Sequence, residues 1–195
     1  MGCFLSKTKP KAKAKNRLNI VVCSNSGEDS VQGLIGYINR NISDVVESAS
    51  VKFEPLPYNM ADMKEFELGG VDALFLCHSM DIRGPYRYPD GSNSIYDKFL
   101  YKAKRCLGKK RVAVIVHDYK DLSREALETW NQTNRSTFNN MTSLMLTLGQ
   151  FAAGGGPIRL TDVQQAEFNF FLEGALSCRR IVGAFYRFFY RLIRQ

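Results

Sequence analysis

Val-Asp-Ala-Leu-Phe-Leu-Cys, residues 71–77, is the stretch of the chain that decides the fold. It is nearly unbroken in apolar character, as expected of a strand that is covered on both faces of a sheet. Similar runs predict further strands at 18–23, 51–56, 111–116 and 143–148. Helical patterns alternate with these strands at 30–42, 61–66, 94–107 and 123–130 and from Thr161 onward. The alternation predicts an α/β fold, a three-layer, doubly wound and mostly parallel sheet of P-loop or Rossmann-like type.

The 195 residues are enough for one hydrophobic core, and the net charge of +8 lies at the two ends of the chain. Removing the six basic residues of 1–17 and the five of 178–195 leaves −3 for the body. We therefore expect three parts, namely a disordered, acylated basic anchor at 1–17, an α/β domain at 18–177 and a basic amphipathic helix at 178–195. The mildly acidic body argues against a nucleic-acid partner, because such a protein normally carries its basic stripe on the fold.

The first residues match the pattern for N-myristoylation, Met-Gly-x-x-x-Ser/Thr, through Gly2 and Ser6. Cys3 offers a thiol for palmitate, and a basic run follows that can bind anionic lipid. The cationic residues of this run are Lys7, Lys9, Lys11, Lys13, Lys15 and Arg17. The first dozen residues resemble the acylated N-termini of Src-family kinases, which begin Met-Gly-Cys and continue into Ser and Lys. The alternative is a basic tail that touches nucleic acid or only solubilises the chain.

These features predict a location on the cytosolic face of a cellular membrane, with the plasma membrane as first choice, and an anionic membrane surface as partner. The five cysteines are odd in number and widely spaced, which is typical of reduced thiols. No run approaches the length needed to span a bilayer, so the attachment is expected to be a lipid anchor.

The last residues form a second basic and apolar segment. On a helical wheel, Arg180, Arg187, Arg191 and Arg194 fall within about 60° of one another, opposite a wide aromatic and aliphatic arc. This pattern is typical of a helix that lies in a membrane interface, but it also fits a final helix packed on the sheet.

Ligands of parallel α/β sheets bind beyond the carboxyl ends of the strands. Residues 18–30, 71–81 and 114–122 resemble, in their order, three segments of a Ras-like small GTPase. The resemblance places Cys23 and Glu28 at the two glycines of the phosphate loop, Asp29 at its lysine and Ser30 at the magnesium ligand. Two carboxylates in a partly buried phosphate site would repel a triphosphate, so the resemblance implies a pseudo-GTPase. Its vestigial nucleotide loop comprises Ser24, Ser26, Gly27 and Ser30, with Asp121 from the base-recognition motif.

The same loop also resembles a flavin-phosphate loop of flavodoxin-like proteins, Ser/Thr-x-Thr-Gly-x-Thr, through residues 24–29. This second resemblance implies FMN as a ligand. The residues themselves predict no bound cofactor, and GTP, GDP and FMN all stay open.

Two histidines, His78 and His117, are each expected to end a strand on this rim of the sheet. They are weak candidates for an acid–base pair, and the alternative is that they only cap the strand ends. No third ligand at a metal-binding spacing accompanies them, so no metal site is predicted. The loop 80–93, rich in Gly, Pro and Tyr, is long enough to suggest a functional role.

The sequence thus favours a membrane-anchored, non-catalytic α/β module that binds an unidentified protein partner at the cytosolic leaflet, as a signalling or effector protein. One alternative is a nucleotide- or flavin-dependent enzyme that uses the loop 24–30. The other is a defence effector that acts on membranes through the C-terminal helix.

Overall fold

The computed structural model describes residues 17–24, 26–44, 46–57, 59–81, 95–118, 138, 140–149 and 158–192. In the last helix, side chains are described as far as Cys178. Some of the expected features lie outside the described residues. They are residues 1–16 of the expected acylated anchor, the loop 82–94, Asp121, the expected helix 123–130, and Arg194.

Five parallel strands form one sheet in the order β2-β1-β3-β4-β5. In register, Ile20 pairs with Ala73, Leu74 with Val112, and Ala113 with Leu144. The strands are β1 (Arg17–Ser24), β2 (Ser48–Pro55), β3 (Ala73–Ser79), β4 (Val112–His117) and β5 (Leu144–Thr147). All seven residues of β3 and all six of β4 are buried, as the apolar runs of the sequence predict for central strands.

Helices cover both faces of the sheet, so the predicted doubly wound α/β fold is confirmed. The helices are α1 (Gln32–Asn41), α2 (Met60–Glu65), α3 (Ile95–Leu107) and α4 (Asp162–Leu192). One core joins α1 and α4 to one face, and a second core joins α2, α3 and Phe138 to the other. Alternate residues of each central strand enter the two cores, because successive side chains of a strand point to opposite faces.

Aromatic packing fixes α4 against the sheet. The ring of Phe75 in β3 stacks on Phe168 at a centroid distance of 5.3 Å and meets Phe171 edge-on at 5.1 Å. Tyr37 of α1 meets Phe168 edge-on at 5.5 Å. Such pairs contribute about 0.5–1.5 kcal/mol beyond their area burial, so these rings fix the position of α4 on the sheet.

Asp72, the polar residue in the run that predicts the central strand, is explained by its backbone contacts. Its Oδ2 accepts a hydrogen bond from the Asn19 backbone N–H at 2.9 Å, and its own N–H donates to the Asn19 carbonyl at 2.8 Å. The strand β3 therefore begins one residue later, at Ala73. The buried carboxylate joins the start of β3 to β1.

Two elements, β2 and α4, extend well past the expected boundaries, while other element ends shift by one or two residues. β2 begins at Ser48 rather than at 51, because residues 48–50 pair with Arg17, Leu18 and Asn19 of β1. α4 is a single helix of 31 residues that crosses the expected boundary between 177 and 178. Among the described residues, no helix combines the length and the apolar character needed to cross a bilayer.

Because every strand runs in the same direction, the sheet has an amino edge, where the strands begin, and a carboxyl edge, where they end. α4 runs from the carboxyl edge to the amino edge. Gln164 Nε2 donates to the Thr147 carbonyl at the end of β5, at 3.3 Å. Ten residues later, a Cβ at Gly174 would lie 4.0 Å from the carbonyl oxygen of Lys110, which precedes β4. The chain of the N-terminal segment also enters the fold at the amino edge, through Arg17.

Candidate ligand site at the carboxyl edge

The strand order places a crevice at the carboxyl ends of β1 and β3. The connection after β1 crosses one face of the sheet, and the connection after β3 crosses the other. Flavodoxin-like proteins share this strand order, and proteins with it bind ligands at that switch point. The structure brings Ser24, Ser26, Gly27 and Ser30 together here, as the sequence predicts, at the end of β1. His78 and His117 lie at the ends of β3 and β4.

Three serine hydroxyls form a closed chain in the loop after β1. The Oγ atoms of Ser24 and Ser26 are 2.9 Å apart, those of Ser26 and Ser30 are 2.6 Å apart, and Ser30 Oγ donates to the Gly27 carbonyl at 2.7 Å. A carbonyl only accepts, so the hydroxyl proton of Ser30 is donated to Gly27. Ser26 must therefore donate to Ser30, and Ser24 must donate to Ser26. A ligand therefore meets oxygen lone pairs rather than hydroxyl donors in this loop, which is unfavourable for a phosphate.

Gly27 allows the turn that closes this chain, with a φ of +87° in a region that favours glycine. The neighbouring carboxylates of Glu28 and Asp29 are exposed to solvent, and Glu28 Oε1 accepts from Gln32 Nε2 at 2.9 Å. The expectation that these two acids stand in a partly buried phosphate site is wrong. Water screens them, so they repel an anion less than the sequence suggests.

The two histidines do not form a pair across the strands. In register, His78 lies opposite Val116, and Ser79 lies opposite His117. Residues in register share a face, and successive residues alternate, so His78 and His117 belong to opposite faces of the sheet. Both are buried, at 1% and 0% relative exposure. This geometry fits strand-end residues better than an acid–base pair.

Asp118, directly after β4, is the centre of the polar contacts at this edge. Its Oδ2 accepts a 2.5 Å hydrogen bond from Ser79 Oγ and lies 2.9 Å from His117 Nδ1. Its backbone N–H donates to the Gly149 carbonyl at 3.2 Å, and its φ is +60°. Asp tolerates this left-handed conformation better than most residues. The carboxylate thus connects the ends of β3 and β4, and the backbone N–H connects them to the segment after β5.

Burial lowers the pKa of His117 below its ordinary value of 6.5, although the nearby carboxylates of Asp118 and Asp81 act in the opposite direction. A neutral imidazole with no exposed surface offers no proton-transfer group to a ligand in solution. Two thiols near this edge are equally unreactive, because burial raises the pKa of both Cys23 and Cys77. The thiolate is the nucleophilic form of cysteine.

The described part of the chain contains no group of three His, Cys, Asp or Glu residues that could hold a metal ion.

Sequence reasoning missed Ser79, whose hydroxyl reaches Asp118 across two strands. A hydroxyl at the end of a central strand, next to His78, was the available signal. Gly2 and Cys3, which are expected to be lipidated, and Asp121 lie outside the described residues. Arg180, Arg187 and Arg191 belong to the helix α4, but their side chains are beyond the described ones.

Compared with known proteins, the chain matches no protein-family model, and no curated protein matches it. Between α1 and β3 the structure has one strand, β2, which is parallel to β1. The flavodoxin-like resemblance agrees with the strand order. Whether the loop 24–30 binds a nucleotide or a flavin stays a prediction.

Proposed function

We propose that this chain is a lipid-anchored, non-catalytic α/β module that binds a protein partner at the cytosolic leaflet of a membrane. The observation that carries the proposal is the order Gly2, Cys3, Ser6 and Lys7 directly upstream of β1. A myristoyl chain alone binds a bilayer reversibly, and the thiol of Cys3 and the basic run supply the second signal that stable attachment requires.

The topology supports this proposal through the position of the anchor. The acylated segment joins the fold at the amino edge, through Arg17, while the loops after β1, β3 and β4 lie at the carboxyl edge. Attachment at one edge leaves the other open to the cytosol. In parallel α/β proteins, the loops of that edge carry recognition. A partner is therefore expected to bind there.

Three features of the carboxyl edge favour recognition over catalysis. The hydroxyl protons of the serine chain are used within the loop, the imidazole of His117 is buried, and Asp118 Oδ2 is committed to Ser79. None of these groups offers an accessible base or nucleophile. The same polar contacts hold the loops in one arrangement, which favours a fixed binding surface.

Intact-mass measurement of the protein purified from eukaryotic cells tests the anchor. The wild type should carry one myristoyl group, and a palmitoyl group that is lost in Cys3→Ser. Gly2→Ala should carry no myristate and should move from the membrane fraction to the supernatant. A Ser6→Thr variant, which keeps the acylation pattern, is the matched control. A wild-type protein without any acyl mass would refute the proposal.

A second candidate function is flavin or nucleotide binding at the switch point, and the strand order favours it. Titration of purified protein with FMN, GTP and ATP, followed by fluorescence or calorimetry, separates the two. Micromolar binding that is lost in Ser26→Ala would support the second candidate. Absence of binding to all three ligands would support the non-catalytic module.

A further inference from the structure

A groove lies between α4 and the start of the edge strand β5, next to the turn that precedes β4. Its volume is about 650 Å³, and its lining combines apolar side chains with two lysines. Its lining includes Lys109, Lys110, Met145, Phe170 and Gly174. Phe170 is 77% exposed, although its ring is large and apolar. A solvent-exposed aromatic side chain beside an apolar groove indicates a binding surface.

The two lysines give this groove a positive rim. Lys109 and Lys110 belong to the exposed 3₁₀ turn Lys109–Arg111 that precedes β4, and no described carboxylate lies within ion-pair distance of either. Arg111, the third member of the turn, is used within the fold, since its Nη1 donates to the Val71 carbonyl at 3.3 Å. The free cations therefore stand next to the apolar groove.

Helical spacing continues the apolar line of the groove along α4. At 100° per residue, Phe170, Gly174, Ile181, Phe185, Phe188 and Leu192 fall within about 60° of one another. Phe168 and Phe171 pack on Phe75 of the sheet, and Phe171 also lines the groove. Glu173 is the last acidic residue of the chain, so no carboxylate follows it along this line. The helix continues for 18 residues after Gly174, about 27 Å.

We propose that the outer side of α4 from Phe170 onward, together with Lys109 and Lys110, binds the surface of an anionic bilayer. The ring of Phe170 enters the interface, and the lysines contact lipid headgroups. This inference rests on the proposed lipid anchor and names the surface that faces the membrane. A second copy of the chain is a poorer occupant, because pairing two such surfaces would bring Lys109 and Lys110 of both copies together.

The place where β1 begins agrees with this surface. β1 lies three strand spacings from β5, about 14 Å, and the 15 residues from Gly2 to Asn16 can extend to about 50 Å. Acyl chains on Gly2 and Cys3 can therefore enter the same bilayer that α4 contacts. The carboxyl edge stays in solution.

The contribution of charge is tested with the full chain carrying Gly2→Ala, which is not acylated. Its partitioning is measured onto vesicles of phosphatidylcholine alone and onto vesicles that contain one third phosphatidylserine. Lys109→Ala/Lys110→Ala should weaken partitioning onto the anionic vesicles about 25-fold, since each lysine near such a surface is worth about fivefold. Lys98→Ala, which removes an exposed lysine at the other end of α3, is the matched control and should change partitioning less than twofold. Equal effects of the lysine pair and the control would overturn the inference.

The orientation is tested with the acylated protein bound to vesicles that contain brominated lipid. Phe170→Trp in a Trp130→Phe background places the only indole of the chain in the groove. Its fluorescence should be quenched several-fold. Tyr101→Trp in the same background is the control at an exposed aromatic position outside the surface, and it should be quenched little. Thermal melts of all variants check that the fold is retained.

The outcomes separate this inference from the anchor. Acylated protein that floats with vesicles while the indole at position 170 stays unquenched overturns the orientation and leaves the anchor intact. A chain without acyl mass, whose binding to anionic vesicles still depends on the lysine pair, refutes the anchor and supports the surface. Quenching at position 101 equal to that at position 170 also overturns the inference.

Discussion

The hydroxyl of Ser79, the last residue of β3, donates a 2.5 Å hydrogen bond to Oδ2 of Asp118, the first residue after β4. The same oxygen lies 2.9 Å from Nδ1 of His117. Two central strands are thus joined at the edge where a ligand or partner is expected. Hydrogen bonds to a charged acceptor are shorter and stronger than those between neutral groups. This contact is therefore expected to stabilise both the fold and the arrangement of the loops.

Replacing Asp118 tests this role. Asp118→Ala should lower the free energy of unfolding by about 2 kcal/mol, because it leaves the hydroxyl and the imidazole without their acceptor and places Ala at a positive φ. Asp118→Asn should cost less, since Asn keeps an acceptor and tolerates this backbone conformation. Urea denaturation measures both, with the exposed Glu47→Ala as control. Equal stability of Asp118→Ala and the wild type would contradict this account.

The lowered pKa of His117 predicts how stability depends on pH. The unfolded chain takes up a proton near pH 6.5, whereas the buried imidazole of the folded chain does so only at lower pH. The contribution of this group is therefore fully present above pH 6.5 and is lost as the pH falls through 6.5 toward the folded-state pKa. Denaturation curves between pH 7.5 and 6 should show falling stability, with a smaller slope in His117→Gln. An unchanged slope would show that another group controls this range.

Lys102 caps the C-terminal end of α2 from the neighbouring helix α3. Its ammonium donates to the carbonyl of Met63, and to those of Lys64 and Phe66 at 3.2 and 2.7 Å. Lys102→Met keeps the aliphatic stem but leaves these carbonyls without the donor. We expect a loss of about 1.5 kcal/mol and faster amide exchange in 60–66. Lys98→Met, four residues earlier on α3, should leave exchange in α2 unchanged.

Cysteine alkylation should separate buried from exposed thiols. Cys23 and Cys77 are buried on neighbouring strands, and burial raises the pKa of both thiols. Cys106 is exposed. Iodoacetamide at pH 8 should therefore modify Cys106 within minutes and leave Cys23 and Cys77 unmodified until the protein is denatured. Peptide mass spectrometry measures the three sites separately. Rapid labelling of Cys77 in folded protein would mean that the sheet opens at this position.

The fold class and the central strands could be predicted from sequence, because β3 and β4 are apolar on both faces and require cover on both. The start of β2 could not. Ser48, Ala49 and Ser50 carry no alternating apolar pattern, and it is pairing with β1 that makes them a strand. The strand order likewise depends on contacts between distant segments. Only the structure reveals it.

At the candidate site, sequence reasoning found the serine loop but misjudged the chemistry around it. The spacing of residues 24–30 indicates a loop after a strand, but it does not reveal that Ser30 donates to the Gly27 carbonyl. The solvent exposure of Glu28 and Asp29 was also hidden. The histidines were placed correctly at strand ends, while the register that separates their faces is a property of the pairing between β3 and β4.

Because α4 is one continuous helix, the number of residues between Phe171 and Ile181 sets the direction in which the residues after Ile181 project. The rings of Phe168 and Phe171 hold one end of the helix at a fixed rotation against Phe75. Inserting a single alanine after Ser177 would turn everything beyond it by about 100°, whereas inserting seven residues would restore the original direction to within about 20°. The variants with one and with seven inserted residues would then present their C-terminal residues in different directions. Substitutions within this helix should be tolerated more readily than a change of one residue in its length.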